Sequence, residues 1–159
     1  MGDTSRVELH KSAHIPAPPD QVWDLITDWA GMLRWWLTAG DGGLQGPALV
    51  RCELVGNHGD IPRTRRMFLD NGTVTEEQLF YQNDETRRIH YSKAADQDIT
   101  GYLASTYVDA TEDHTAIVHI SSRFDVRRTA NPAVHMARYE SVYAAMFRGY
   151  QHYFTRVDT

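Results

Sequence analysis

A helix near the C-terminus decides how this chain can fold. Residues 131–157 read NPAVHMARYESVYAAMFRGYQHYFTRV. Asn131 is a preferred N-cap and Pro132 a preferred first helical residue. Apolar and aromatic residues then recur every three or four positions, at Tyr139, Tyr143, Met146, Tyr150, Tyr153 and Val157, with Val142, Gly149 and Phe154 beside them. The spacing predicts an amphipathic helix of roughly 25 residues, with one face that must be buried.

The chain before this helix is typical of consecutive strands. Segments rich in β-forming residues are separated by turn residues, at 48–56, 62–69, 73–82, 87–94, 101–110 and 115–126. Asn71-Gly72 is the strongest hairpin signal among these turns. Because the connections are short, the segments are predicted to form an antiparallel meander.

The N-terminal segment supplies one more strand and two short helices. Residues 6–15 alternate, with Val7, Leu9, Lys11, Ala13 and Ile15 on one face, which indicates a half-buried strand. Prolines at 16, 18 and 19 end this strand, and a helix can begin near Pro19. A second short apolar helix is expected over about 30–37. The predicted fold class is α+β: a seven-stranded curved antiparallel sheet that grips the long C-terminal helix.

This architecture predicts a concave, mainly apolar interior. A wide sheet with a single long helix on it leaves space between the two layers. Tyrosine and methionine on the buried helix face suit an apolar ligand that also offers oxygen atoms. The alternative is that the tyrosines complete an ordinary core and extend their hydroxyls to the rim of the sheet.

Composition narrows the function classes. The 159 residues fit a single domain, 1–159, and 16 basic against 21 acidic residues give a net charge of −5. This balance argues against nucleic-acid binding, and no apolar stretch is long enough for membrane insertion. Residues 1–6 are not followed by an apolar segment, so we expect a cytoplasmic protein. We expect no metal and no cofactor, because the common metal-ligand and nucleotide-binding motifs are missing. Exposed apolar positions on the strands would permit a homodimer.

Several motifs resemble a known superfamily. They are IPAPPDQVW at 15–23 with Asp28 and Trp36, NGTVTEEQL at 71–79, RRIHY at 87–91 and SSRF at 121–124. Together with the element order, they make the chain similar to the START-like, helix-grip (SRPBCC) superfamily, which includes birch-pollen-allergen relatives. Within it, the chain most resembles the bacterial polyketide cyclase/dehydrase-like proteins. The resemblance covers nearly the whole chain; it is specific for the fold and weak for the activity.

The resemblance implies that a hydrophobic or aromatic small molecule binds in an internal cavity. If the protein is an enzyme, it implies polyketide-type cyclisation or dehydration. A non-catalytic carrier or sensor of a lipid-like ligand is the alternative, and a protein-interaction module of the same fold is a third. The candidate ligand-binding residues lie on the strands, the helix and the second short helix: Trp36, Met67, Tyr91, Tyr102, Tyr139, Tyr143 and Met146.

Arg65 and Glu77 are the candidate catalytic residues, because relatives use an arginine and a glutamate on a similar hairpin. If both point inward, Glu77 would act as a general base and Arg65 would stabilise a developing anion. Otherwise they form a surface ion pair worth about 0.2–1 kcal/mol. A symmetric two-residue turn would place Arg66 opposite Glu77, whereas a longer turn or a bulge would bring Arg65 and Glu77 together. The pairs Arg66 with Glu77 and Arg65 with Glu76 therefore stay open at this point.

The environments of two other basic residues, Lys93 and Arg63, also follow from their positions on the strands. Lys93 has the same phase as Tyr91 on its strand and is one of two lysines in the chain. An inward lysine would meet a ligand carboxylate, although a lysine at a strand end is more often exposed. Arg63 is expected to be a solvated residue at a strand end.

Overall fold

The computed structural model describes residues 3–156 and confirms the predicted helix-grip architecture. The strands are β1 (Thr4–Ile15), β2 (Leu49–Val55), β3 (Arg63–Leu69), β4 (Val74–Asn83), β5 (Arg88–Lys93), β6 (Ile99–Ala110) and β7 (Ala116–Arg127). The helices are α1 (Pro19–Thr27) and α2 (Pro132–Thr155), with single 3-10 turns at Met32–Arg34 and Ala39–Asp41. Val157, which the helical pattern includes, lies outside the described residues.

All seven strands form one antiparallel sheet in the order β1-β7-β6-β5-β4-β3-β2. β2 to β7 follow one another as a meander, and β1 joins the sheet beside β7. Alternation along the strands separates the two faces of the sheet. On β7, for example, Val118, Ile120, Ser122 and Phe124 are buried, while His119, Ser121 and Arg123 are half-buried or exposed. One face of the sheet therefore forms the core under α2.

Helix α2 is capped and buried as its sequence predicts. The side chain of Asn131 accepts a hydrogen bond from the backbone N–H of Ala133 at 3.0 Å. The face with Tyr139, Tyr143 and Tyr150 is buried in the core. Gly149 on this face lies against the backbone of Trp35: a Cβ atom there would stand 2.3 Å from the carbonyl oxygen of Trp35. Glycine is required because no side chain fits this close approach.

The second short helix is shorter than the predicted span of about 30–37. Helical structure in this region is limited to the 3-10 turn at Met32–Arg34, which Trp35 ends. The ring of Trp35 packs on Tyr150, with the two ring centres 4.5 Å apart. Packing of large aromatic rings against α2 thus sets the local backbone path in place of a regular helix.

Candidate functional site

The β3–β4 hairpin closes with a three-residue loop, and this loop fixes the register. The N–H of Leu69 donates to the carbonyl of Thr73 at 2.9 Å, so Asp70, Asn71 and Gly72 form the loop. Gly72 has a positive φ of 86°, which is typical of the last residue in such loops. The odd number of loop residues shifts the pairing by one position from that of a two-residue turn.

Arg65 and Glu77 are consequently direct cross-strand partners, and so are Arg66 and Glu76. Arg65 is 4% exposed, on the concave face of the sheet with buried Leu79 and Tyr91. The side chains of Arg66 and Glu76 are 38% and 48% exposed on the opposite face. The two mixed pairings that the sequence left open are therefore wrong.

The guanidinium of Arg65 is held from three sides. Its Nε and Nη2 donate to Oε1 of Glu77 at 2.9 and 2.7 Å, and its Nη1 donates to the carbonyl of Trp29 at 3.4 Å. The carbon at its centre also lies 3.6 Å from the centre of the Trp29 ring, which is a cation–π contact. The indole N–H of Trp29 donates to the backbone carbonyl of Glu77 at 3.1 Å. Trp29, which follows the end of α1, thus holds the pair in place on β3 and β4.

Charge is concentrated in this part of a largely apolar interior. Burial is the largest single effect on the pKa of Arg65 and lowers it, but the charge of Glu77, the neighbouring Tyr91 and the hydrogen bonds to Glu77 together outweigh burial. The net pKa is therefore raised and the arginine stays charged. Burial, reinforced by the charge of Glu77, raises the pKa of Tyr91 well above its usual value. The interior therefore holds an ion pair next to a neutral phenol.

Glu77 keeps one carboxylate oxygen available. Both bonds from Arg65 end on Oε1, and no other residue in 3–156 donates a hydrogen bond to Oε2. The Glu77 side chain is 14% exposed, against 4% for Arg65. A carboxylate that is oriented by an arginine and has one free oxygen has the geometry that a general base needs.

A second polar group lies between β6, β7 and α2. The hydroxyls of Tyr102 and Tyr143 are 2.6 Å apart, and that of Tyr143 donates to Oγ of Ser122 at 2.6 Å. Burial raises the pKa of Tyr143 to about 12, although its hydrogen bonds to Ser122 and Tyr102 lower it. The hydroxyl of Tyr143 is thus hydrogen-bonded inside the core and does not reach the rim of the sheet. The hydroxyl of Tyr153, by contrast, accepts a hydrogen bond from exposed Arg34 at 2.7 Å.

Burial of the predicted ligand-binding residues changes along the strands. Tyr91, Tyr102, Tyr139, Tyr143 and Met146 are buried, whereas Trp36 and Met67 are half-buried. Met67 pairs with Cys52 on β2 and with Thr75 on β4, and both partners are half-buried too. The interior is therefore best covered around Leu79 and Tyr91 and least covered toward the end of the β3–β4 hairpin.

Aromatic rings occupy the centre of the interior. Tyr102 packs on Phe124 and Tyr139 with ring centres 6.0 and 5.1 Å away, and Tyr139 packs on Tyr143 at 6.1 Å. The hollow expected beneath the helix stays a prediction. A concavity of about 630 Å³ lies on the opposite, outer face of the sheet and includes Phe80, His90, Ser105 and Arg123. Another, of about 440 Å³, lies beside the C-terminal end of α2 and includes Arg34 and Tyr153.

Sequence reasoning missed the roles of Trp29 and Arg63. The helical spacing of Trp29 indicated only core packing, and no sequence signal linked it to the hairpin. The expectation that Arg63 is solvated is wrong: it is 2% exposed, and its Nη2 donates to the carbonyl of Thr27 and to Gln82 at 2.8 Å. Acceptors from α1 and β4 compensate for part of the loss of water around this guanidinium, although its buried Nε has no hydrogen-bond partner among residues 3–156.

Metal binding, thiol chemistry and membrane-spanning helices have less support in the structure. Among residues 3–156, no three His, Cys, Asp or Glu side chains cluster closely enough to hold a metal ion. Burial raises the pKa of the Cys52 thiol, although the charge of Arg65 opposes this, so the thiol stays protonated. Neither helix in this part of the chain combines the length and apolar character required to cross a bilayer.

Comparison with known proteins identifies the family. Residues 6–151 match the family described as polyketide cyclase / dehydrase and lipid transport. The chain belongs to this family. Membership supports ligand binding within the hydrophobic fold and names both an enzymatic and a transport role, without choosing between them. No curated protein sequence matches the chain.

Solved structures confirm the fold. An uncharacterized protein from Bacillus thuringiensis is 22% identical with a TM-score of 0.76, covering 94% of this chain and 100% of its own. Protein XoxI from Bacillus cereus is 23% identical with a TM-score of 0.74, over 93% and 95%. Truncated norcoclaurine synthase from Thalictrum flavum is 17% identical with a TM-score of 0.74, over 99% of both chains. At these identities the likeness concerns the fold alone.

Proposed function

We propose that the protein binds a hydrophobic or aromatic small molecule between the concave sheet face and α2, and that Arg65 and Glu77 act on it there. The buried ion pair carries this proposal. A buried pair adds little to stability relative to apolar residues of the same size, because desolvation offsets the attraction between the charges. An oriented carboxylate with a free oxygen is, by contrast, directly useful for proton transfer.

In the proposed mechanism, Glu77 Oε2 removes a proton from a carbon next to a carbonyl group of the ligand. The negative charge moves to the carbonyl oxygen, where the Arg65 guanidinium stabilises it. In a cyclisation, the resulting enolate attacks a second carbonyl of the same molecule, and the alkoxide that forms takes the proton back from Glu77. In a dehydration, the enolate expels the hydroxyl group of the adjacent carbon, which takes that proton from Glu77 and leaves as water. Family membership supports this reaction class, and norcoclaurine synthase shows that the fold hosts an enzyme.

The ligand would enter near the hairpin end, where coverage of the interior is least complete. Met67 is half-buried there and would contact its apolar part, as would Trp36, which is half-buried beside Trp35. Tyr91 and Met146 would line the inner wall, and Tyr102, Tyr139 and Tyr143 would offer aromatic faces and hydroxyls to its oxygen atoms. The tyrosine rings at the centre would have to shift by rotation to admit a large guest.

The substitution Glu77→Gln tests the catalytic part of the proposal. Glutamine retains an acceptor for Arg65 but cannot act as a base at neutral pH. On a panel of poly-β-ketone substrates, we expect turnover to fall at least about 100-fold while binding persists, as is typical for loss of a general base. Glu76→Gln, on the outer face of the same strand, is the matched control and should retain full activity.

A non-catalytic carrier is the second candidate, since the family description includes lipid transport. Native mass spectrometry of freshly purified protein distinguishes the two. A retained lipid-like molecule, together with no turnover by the unaltered protein, would favour the carrier. Absence of both a retained molecule and saturable binding of a neutral aromatic dye would overturn small-molecule binding altogether.

A further inference from the structure

A row of charged side chains crosses the concave face of the sheet. Arg65 on β3 is the register partner of Glu77 on β4, and Glu77 is in turn the register partner of Lys93 on β5. Cross-strand partners point to the same face of a sheet. The row therefore contains two positive charges and one negative charge, and carries a formal charge of +1.

Lys93 is the member of this row that lacks a charged partner. Its Nζ lies 3.5 Å from the hydroxyl of Tyr139, and no carboxylate in residues 3–156 lies within ion-pair distance. Glu77 is engaged by Arg65 instead. The nearby carboxylate of Asp96 accepts the backbone N–H groups of Asp98 and Ile99 at 2.8 and 2.7 Å.

The other lysine of the chain provides a contrast. Lys11, which is half-buried as Lys93 is, pairs with the carboxylate of Glu140 at 3.1 Å. Lys93 differs in its partner: its ammonium contacts the Tyr139 hydroxyl of α2 and forms no ion pair with a carboxylate of residues 3–156. An anionic ligand group would supply the negative charge that Lys93 lacks. The neighbouring Glu77 charge would not repel this group strongly, because Arg65 neutralises that charge.

We infer that the ligand is an apolar molecule with a compact acidic group, such as a carboxylate, which binds the Nζ of Lys93 and the hydroxyl of Tyr139. This inference rests on the proposed binding site. The contact with Lys93 would orient the ligand. Its acidic group would lie at the end of β5, and its apolar part would extend along the concave face past Glu77 toward Met67. Lys93 would be a specificity-determining residue that selects acids over neutral molecules of the same shape.

A matched pair of dyes tests this preference. Anilinonaphthalenesulfonate and N-phenylnaphthylamine share one aromatic framework, and only the first carries an anionic group. We expect Lys93→Gln to weaken the sulfonate dye about tenfold, the loss of one charged contact of about 1.4 kcal/mol. The neutral dye should keep its affinity within about twofold. Lys11→Gln should change neither dye, and Lys93→Arg should retain the preference for the anion.

The outcomes separate this inference from the proposed function. If Lys93→Gln weakens both dyes equally, or neither, the acidic-group inference is wrong while neutral dye binding still supports the interior site. Sulfonate binding on the outer concavity would be insensitive to Lys93→Gln and would count against the inference. If the unaltered protein does not bind the neutral dye, the proposed function fails, and the inference fails with it.

Discussion

The β3–β4 hairpin carries two arginine–glutamate pairs of the same composition in opposite environments. Arg65–Glu77 and Arg66–Glu76 have nearly equal closest distances, 2.7 and 2.8 Å. The side chains of the first pair are 4% and 14% exposed, whereas those of the second are 38% and 48% exposed. The distance between the charged atoms alone therefore does not determine how strongly an ion pair affects stability. Solvent access decides whether its charges are screened or must be satisfied by the protein.

The inner pair should show the largest effect when one partner is removed. Glu77→Ala leaves the Arg65 guanidinium buried without its counter-charge, and we expect the free energy of unfolding to fall by about 3–5 kcal/mol. Urea denaturation measures this change, with Glu76→Ala as the matched control on the outer face. Equal losses for the two variants would show that both faces are equally accessible to water.

Replacing both inner residues sharpens the comparison. In Arg65→Met/Glu77→Leu no charge remains to be desolvated, so we expect most of the single-variant loss to be recovered, to within about 1 kcal/mol of the unaltered protein. Urea denaturation of the double variant and of both single variants measures how much of the free energy of unfolding is recovered. A double variant as unstable as Glu77→Ala would mean that the bond from Arg65 to the Trp29 carbonyl and the stacking on the Trp29 ring dominate.

Alkaline pH should destabilise the protein through the inner face. Burial raises the pKa of Tyr143 from 10 to about 12, so folding favours the protonated phenol. The resulting stability is fully present below pH 10 and is lost as the pH rises to about 12. From that shift we expect a loss of about 2–3 kcal/mol.

Denaturation at a series of alkaline pH values, together with tyrosinate absorbance, tests this expectation. Tyr143→Phe is the control: it should remove part of the alkaline destabilisation and lower stability at neutral pH through the lost bond to Ser122. Stability that does not change over this range would contradict the inward, hydrogen-bonded placement of Tyr143.

The outer pair should show the smallest effect. Arg66→Ala is expected to reduce stability by only about 0.2–1 kcal/mol, because water screens this pair and mobile side chains lose entropy in forming it. Raising the salt concentration should reduce the effect further, since the Debye length shortens. The measurement is urea denaturation at low and high salt. A loss as large as that of Glu77→Ala would contradict the exposed position.

Most of the fold was predictable because it depends on periodicity. Alternation on β1, the turn residues between strands and the three-to-four spacing on α2 each reflect the geometry of a single element. The second short helix was predicted too long, since its aromatic residues pack on α2 instead of continuing a helix. The inward placement of Tyr91 and Tyr102 also followed from alternation.

The candidate site was predictable only in part. The family resemblance pointed to Arg65 and Glu77, but the sequence left several pairings open, because a change of one residue in the loop reverses which arginine faces inward. The roles of Trp29 and Arg63 depend on contacts between the segment at the end of α1, 27–29, and the hairpin, which are far apart in sequence. The unpartnered state of Lys93 likewise depends on where the carboxylates of Glu77 and Asp96 are engaged.

Local patterns in the chain were sufficient for the order of elements, the single layer of helix on sheet and the buried face of α2, because propensity and periodicity act over a few neighbouring residues. The tertiary structure alone decided the loop of Asp70, Asn71 and Gly72, the register of Arg65 with Glu77, and the stacking of Trp29 on the guanidinium. These features arise from contacts between segments that are distant in sequence. The free energies of such contacts do not follow from any local sequence pattern.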